Sequence, residues 1–344
     1  MATRVLVAED SPTARALLVA ILEADQNVQV VGVAHTGEEA VAMTARLRPH
    51  VVTMDIRLPG IDGFEATRRI MAGTPTPIVI ISGYYDRRDV AASMNALRSG
   101  AVTILPKPPG PDSHDFGDQC AWLVRTVKAM AEVKVVRHRE QAIEAAALPV
   151  ALSIRSNERP RIVTIAASTG GPAALARILE ELSNGFPLPL LVVQHIASGF
   201  AAGLAQWLNS VSNIPVRIAA EREPMRPSTV YLAPDDRHLS VLDPATLTVL
   251  PSPPLDGFRP SGSLLFESAV QVFGGAVVAV ILTGMGDDGL AGLRRVRAAG
   301  GSIIAQDDAT SVVFGMPGAA VEAGLPDFVL PLDAIASRLE ALAA

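Results

Sequence analysis

The chain has 344 residues, 49% of them hydrophobic and 19% charged, with a formal net charge of −6. That composition excludes a disordered chain and predicts two domains, because single cores stop growing at about 250–300 residues. The acidic balance and the 4% aromatic content argue against a nucleic-acid surface, which relies on Lys and Arg clusters or on stacking rings.

The first strand is expected at Arg4–Ala8, with no apolar leader segment ahead of it. No apolar run approaches the ~20 residues needed to cross a bilayer. A cytoplasmic protein with no direct membrane insertion is the expectation. Further strands are expected at Val28–Ala34, Val51–Met54, Ile78–Ile81 and Val102–Leu105, alternating with helical periodicity. Ser11-Pro12 supplies an N-cap followed by proline at the first helical position, and Thr36-Gly-Glu-Glu39 reads as a capping box. Asp62-Gly63 reads as a turn closing the loop after the third strand. Cys120 is the only cysteine, so no intrachain disulfide forms; it falls in an amphipathic helix. Strict strand–helix alternation predicts a doubly wound parallel sheet over residues 1–130. Residues 131–159 lose the strand pattern and carry the charged run Lys134-Val-Val-Arg-His-Arg-Glu140, which reads as a helix end and then a linker.

Alternation resumes over residues 160–344. Strands are expected at Ile162–Ala166, Leu190–Val193, Val216–Ala219, Val277–Leu282 and Ser302–Ala305, with a hairpin at His238–Leu250. Helices are expected at Pro172–Leu182, Leu264–Val272, Leu290–Ala299 and Ala334–Leu342. The fold class is therefore α/β, with two doubly wound parallel-sheet domains.

Polar residues stand at the strand ends of the first domain: Glu9 and Asp10, then Asp55, Ser82 and Lys107. Three converging carboxylates repel one another and call for a counter-ion, and an all-oxygen set suits Mg²⁺. Asp55 would attack a phosphoryl group as a carboxylate nucleophile, Lys107 would balance the added charge, and Ser82 would hydrogen-bond a phosphoryl oxygen. In the second domain Ser168 follows one apolar strand, His195 the next, and Asp288 a third. Strand ends of a parallel sheet gather at one crevice, so the three can act as nucleophile, base and orienting acid. Gly170 and Gly171 let the backbone turn into a helix whose free N–H groups can hold an oxyanion. His238 competes with His195 for the base, Asp287 competes with Asp288 for the acid, and Ser168 also fits a plain helix cap.

The stretches Val7-Ala-Glu-Asp-Ser11, Thr53-Met-Asp-Ile-Arg-Leu-Pro-Gly-Ile-Asp-Gly63, Ile80-Ile-Ser82 and Pro106-Lys-Pro108 resemble the receiver domain of two-component response regulators. The resemblance implies a flavodoxin-like fold, phosphorylation of Asp55 by a sensor histidine kinase, and Mg²⁺ held by Asp10, Asp55 and Glu9. Ile104 departs from the pattern, since receivers often carry Phe or Tyr three positions before the lysine.

The segments Ala166-Ala-Ser-Thr-Gly-Gly-Pro172, Val193-Gln-His195, Gly199-Phe200, Tyr231-Leu-Ala-Pro234, Arg259-Pro-Ser261, Leu282-Thr-Gly-Met-Gly-Asp-Asp-Gly289 and Val312-Val-Phe-Gly-Met-Pro317 are similar to the protein-glutamate methylesterase domain of bacterial chemotaxis. That resemblance implies a Rossmann-like fold, Ser168 as nucleophile, His195 as base and Asp288 as acid, with no cofactor at the esterase site. It also implies hydrolysis of glutamate methyl esters on methyl-accepting chemotaxis receptors, with receptor glutamine deamidation as a second activity. In the unphosphorylated state the receiver would cover the esterase cleft, and phosphorylation would relieve this. The loops Ile196-Ala-Ser-Gly-Phe200, Met225-Arg-Pro-Ser228 and Arg259-Pro-Ser-Gly-Ser263 depart from the family pattern near the substrate face. A non-catalytic response-regulator scaffold, or a serine hydrolase with a non-chemotaxis substrate, are the competing readings.

Overall fold

The computed structural model describes residues 2–83, 96–97, 100–101, 103–133 and 158–344. They fall in two compact units, Met1–Ala142 and Ile143–Ala344. Most of the expected linker, residues 134–157, and the expected strand start at Val102 lie outside the described residues.

The first unit runs β1 (Thr3–Ala8), α1 (Pro12–Glu23), β2 (Val28–Ala34), α2 (Gly37–Leu47), β3 (Val51–Met54), α3 (Gly63–Gly73), β4 (Ile78–Ser82), β5 (Thr103–Pro106) and α4 (Phe116–Ala131). Its strands lie in the order β2-β1-β3-β4-β5, all pairs parallel. This is the flavodoxin-like order, whose crevice lies between β1 and β3. Strands sandwiched between helices must be apolar on both faces, and Val5, Leu6, Val7, Val51 and Val52 are all fully buried. The helix starts are built as their chemistry dictates. Ser11 Oγ accepts from the Ala14 N–H with Pro12 in the first turn, and Thr36 Oγ1 accepts from the Glu39 N–H at 3.1 Å. Asp62-Gly63 is more than a turn: Asp62 caps α3 by accepting from the Glu65 N–H at 2.8 Å. The Gly63 N–H meanwhile closes the loop on the Ile56 carbonyl. Ile104 is buried in β5, beside Ile80 of β4.

The second unit continues with β6 (Ile162–Ala167), α5 (Gly171–Glu181), β7 (Leu190–Gln194), α6 (Ala201–Val211), β8 (Val216–Ile218), β9 (Glu223–Pro224), β10 (Val230–Leu232), β11 (His238–Asp243) and β12 (Thr246–Leu250). Then follow α7 (Gly262–Phe273), β13 (Val277–Ile281), α8 (Leu290–Ala298), β14 (Ser302–Gln306), α9 (Met316–Glu322), β15 (Phe328–Leu330) and α10 (Leu332–Ala343). The main sheet has the order β15-β14-β13-β6-β7-β10-β8, parallel throughout. From β6 the chain winds outward through β7 in one direction and from β13 in the other. The order therefore reverses between β6 and β13, the place where such sheets open a crevice.

The expected hairpin forms, pairing His238 with Leu250, and β9 adds a third antiparallel strand to it. The elements missed from sequence are short or uncapped. Strand β10 has three residues, and α6 and α9 open with no side-chain cap. A cluster around Leu191, Val193, Tyr231, Leu265, Phe266, Val277, Ile281 and Ile303 fills the space between sheet and helices. Among the described residues, no helix is long and apolar enough to cross a membrane.

Candidate active site and acidic cluster

In the first unit the ends of β1 and β3 lie side by side, with the Asp55 N–H bonded to the Ala8 carbonyl. That pairing brings Glu9, Asp10 and Asp55 together, each offering an oxygen, all within 4.8 Å of one another. Glu9 and Asp55 are buried, at 0% and 4% exposure, whereas Asp10 is exposed. The Lys107 ammonium lies between the two buried carboxylates, 2.7 Å from Asp55 Oδ2 and 2.9 Å from Glu9 Oε1. Asp55 Oδ1 accepts from the Arg57 N–H at 3.3 Å, and Glu9 Oε1 also accepts from the Ser11 N–H at 3.2 Å.

Burial, reinforced by the Asp55 charge, pushes the Glu9 carboxyl above its ordinary range. Burial alone would depress Lys107, but its hydrogen bonds to Asp55 and Glu9 outweigh that and hold its pKa above the usual lysine value. Ser82, buried at the end of β4, makes among the described residues a long 3.4 Å bond to its neighbour's carbonyl at Gly83, while its own carbonyl accepts from the Lys107 N–H. Glu9 Oε2 sits 2.8 Å from Lys107 but has no aligned hydrogen bond among the described residues. A buried, unsatisfied carboxylate oxygen in an all-oxygen set of three fits a hard divalent cation.

In the second unit the sheet register does the positioning. Ala167 pairs with Gln194, so Ser168 and His195 are the next residues in register beyond the ends of β6 and β7. The His195 N–H bonds the Ala167 carbonyl at 2.9 Å, and the Ser168 N–H bonds the Thr283 carbonyl, just past β13, at 3.0 Å. The Gln194 amide donates to the carbonyls of both Ser168 and His195, at 2.7 and 2.9 Å. From Thr283 the chain loops round to place Asp288 Oδ2 at 2.9 Å from His195 Nε2.

Asp288 is 7% exposed, and its carboxylate is surrounded by donors. Oδ1 accepts from Ser261 Oγ, the Ser263 N–H and the Gly289 N–H, while Oδ2 accepts from the Gly262 N–H at 2.6 Å. The donors from Ser261, Gly262 and Ser263 are N-terminal groups of α7, and that from Gly289 precedes α8, so the negative charge satisfies free donors at two helix starts and meets the α7 dipole. Burial opposes ionisation here, yet the bonds from His195, Gly262 and Ser263 prevail and hold the Asp288 carboxyl down at about 2. With Asp288 on Nε2, the other imidazole nitrogen, Nδ1, is buried and free of any partner among the described residues. No hydrogen bond yet joins it to half-buried Ser168; such bonds often form only with substrate in place.

The alternatives left open by the sequence separate by environment. His238 is fully buried, and both its nitrogens are engaged by main chain: Nδ1 accepts from the Ser261 N–H, and Nε2 lies 3.0 Å from the Pro253 carbonyl. Asp287 is exposed, and its carbonyl accepts from the Leu290 N–H. Gly170 stands ahead of α5 at φ 80°, a left-handed conformation, where a Cβ would come within 2.6 Å of the Val312 Cβ. The N–H groups of Thr169 and Gly170 make no hydrogen bond among the described residues, whereas that of Gly171 is engaged by the Ser168 carbonyl at 2.9 Å.

Three site contributors were not found from sequence. Phe258 stacks on His195 with ring centroids 4.8 Å apart and planes 14° from parallel. Ser261 caps α7 and holds Asp288, and Gln194 ties two strand ends together. Only Ser261 had a local signal, as a helix-capping serine ahead of the apolar run from Leu264.

Comparison with known proteins follows the same division. Residues 163–339 match the CheB methylesterase family and residues 5–114 the response regulator receiver domain family. The chain is 54% identical over 338 residues to protein-glutamate methylesterase/protein-glutamine glutaminase 4 of Myxococcus xanthus, covering 98% of this chain and 96% of that one. It is 52% identical over 337 residues to protein-glutamate methylesterase/protein-glutamine glutaminase 3 of Anaeromyxobacter dehalogenans, covering 98% of each. The crystal structure of the Thermotoga maritima CheB methylesterase catalytic domain superposes with a TM-score of 0.52 at 39% identity, covering 53% of this chain and 98% of that one.

Proposed function

Because the chain belongs to the family of receiver-linked CheB methylesterases, we propose that it is a phosphorylation-regulated protein-glutamate methylesterase and protein-glutamine glutaminase. Its substrates are methylated chemoreceptors and its phosphodonor is a sensor histidine kinase. The receiver extends over residues 1–130 and the catalytic domain over 160–344, joined by a linker. The single observation that carries the catalytic reading is the 2.9 Å bond of buried Asp288 to His195 at the sheet's switch point.

In this mechanism Asp288 holds the imidazole by Nε2, which leaves Nδ1 as the basic nitrogen. That nitrogen takes the Ser168 hydroxyl proton as Oγ attacks the γ-ester carbonyl of a glutamate side chain. The negative oxygen that develops is met by the free N–H groups of Thr169 and Gly170. Collapse breaks the bond to the methoxy group, which leaves as methanol with the proton from His195. Water, deprotonated by the same nitrogen, then attacks the acyl-serine and releases the glutamate carboxylate and free Ser168. Deamidation follows the same path, with ammonia leaving in place of methanol.

In the receiver, Asp55 is the phosphoryl acceptor, with Lys107 and Ser82 facing the transferred group. Glu9, Asp10 and Asp55 would hold Mg²⁺, which neutralises phosphoryl charge when bound. Lys107 then pairs with the new phosphate, and the changed charge at this strand edge biases the catalytic domain toward activity. The protein is cytoplasmic in this account. The test is Ser168→Ala: methanol release from methylated receptor membranes falls by about 10⁶-fold if the triad acts as a unit. Near-normal release from that variant overturns the assignment.

A further inference from the structure

We propose that Phe258 is a positioning residue for the base His195, placed by a self-closed turn whose downstream residues also hold Asp288. The inference rests on the catalytic reading above, in which His195 is the base. Residues Leu255–Phe258 form a two-residue turn closed at both ends: the Phe258 N–H bonds the Leu255 carbonyl at 2.9 Å, and the Leu255 N–H bonds that of Phe258 at 3.0 Å. The central residues, Asp256 and Gly257, have φ of 50° and 87°. Two successive left-handed residues with an Asp-Gly sequence are the signature of the tightest hairpin connection, so the turn sets its own shape without help from packing. It delivers Phe258 flat against the imidazole, 4.8 Å away and 14° from parallel. The far edge of the ring rests over Gly286, with Cζ 3.7 Å from the place a Cβ would occupy there.

The His195–Asp288 bond fixes one atom of the imidazole and leaves the ring free to swing about that contact. A flat ring on its face removes this freedom, so Nδ1 keeps one bearing toward the nucleophile. The contact also places the negative face of the benzene ring against the imidazolium that forms when Ser168 gives up its proton. The same stretch of chain continues through Arg259 and Pro260 to Ser261, Gly262 and Ser263, which together hold the Asp288 carboxylate. One segment thus orients both members of the pair, by ring contact on one side and by hydrogen bonds on the other. No feature of the composition or periodicity of this segment points to that role.

The experiment compares Phe258→Ala, Phe258→Leu and Phe258→Trp in the full-length chain, measuring kcat and KM for methanol release from methylated receptor membranes and, in parallel, for a small activated ester. Loss of an aromatic pair contact corresponds to a fall of about three- to tenfold in kcat for the alanine and leucine variants, with KM changed by less than about twofold. The tryptophan variant restores kcat to within about twofold of the parent. Leucine fills the space without a flat ring, so the leucine–tryptophan difference separates positioning from packing even if the alanine variant folds poorly. An unchanged kcat in the leucine variant, a fall confined to KM, or equal losses with leucine and tryptophan overturns the proposal. A parent protein that hydrolyses the small ester but not the receptor membranes would overturn the substrate reading alone, and the small-ester series would still decide the role of Phe258.

Discussion

Replacing Asp288 with asparagine keeps the shape of the side chain and removes its charge. The carboxylate accepts from five donors: Ser261 Oγ, the N–H groups of Gly262, Ser263 and Gly289, and His195 Nε2. An asparagine amide has one oxygen, so in either orientation its NH₂ group confronts at least one buried N–H. It also fails to stabilise the imidazolium and lets the ring take the wrong tautomer, which in serine triads costs about 10³–10⁴-fold in kcat. A parallel effect on stability follows from the depressed pKa. The Asp288 carboxyl moves from an ordinary 3.8 to about 2 on folding, which at 1.36 kcal/mol per unit is about 2 kcal/mol. Because the folded value is the lower one, this stabilisation is complete above the unfolded pKa and fades as pH falls from 3.8 towards 2. The variant therefore unfolds more easily at neutral pH, and its deficit narrows over that acid window towards the pH-independent cost of an amide facing a buried N–H. Methanol release gives the kinetic arm, and denaturant unfolding followed from pH 7 to pH 2 gives the other. A variant within tenfold of the parent rate, or a deficit that stays constant to pH 2, would contradict this role for the Asp288 charge.

Two further substitutions probe the rest of the account. In Lys107→Ala the Glu9 and Asp55 carboxylates lose the ammonium between them, so Mg²⁺ binding by titration calorimetry should tighten while the response to a phosphodonor disappears; weaker Mg²⁺ binding contradicts the proposed ligand set. Gly284→Ala would bring a Cβ to 2.7 Å from the Ser168 Cβ, closer than real contacts allow. A displacement of the nucleophile by about an ångström costs on the order of 10²-fold, so kcat should fall by that much with the fold intact, and full activity would show that Ser168 is not held where the mechanism needs it.

Much of this arrangement was legible in the sequence because parallel strands buried on both faces write themselves as apolar runs. Their ends marked Asp55, Lys107, Ser168 and His195 as candidates, with Ser168 also readable as a helix cap and His238 competing with His195; the family resemblance, not the spacing, implied the triad roles. What stayed open was decided by environment rather than by pattern. Asp287 and Asp288 are neighbours of identical chemistry, and only burial against the N-terminus of α7 separates them. His195 and His238 both sit at strand boundaries, yet the second is locked by the Ser261 N–H and the Pro253 carbonyl. The helix at Ala201–Val211 escaped notice because it opens on Phe200, which offers no cap, and its Ala201 N–H is met instead by Asp235 from far along the chain; the seven-residue helix from Met316 opens on Gly315, which has no side chain to cap it. The stacking of Phe258 on His195 depends on a turn conformation and a contact far apart in sequence, neither of which leaves a periodic signal.

In the proposed function, charge added at Asp55 governs ester hydrolysis at Ser168 within one chain. The most direct measurement is the rate of methanol release from methylated chemoreceptor membranes, with Mg²⁺ present, as a small phosphodonor is added to the parent protein and to Asp55→Asn. Release should rise with the phosphodonor in the parent and stay at its basal rate in the variant. Equal stimulation of both, or no release from a parent whose Asp55 is verifiably phosphorylated, would contradict it.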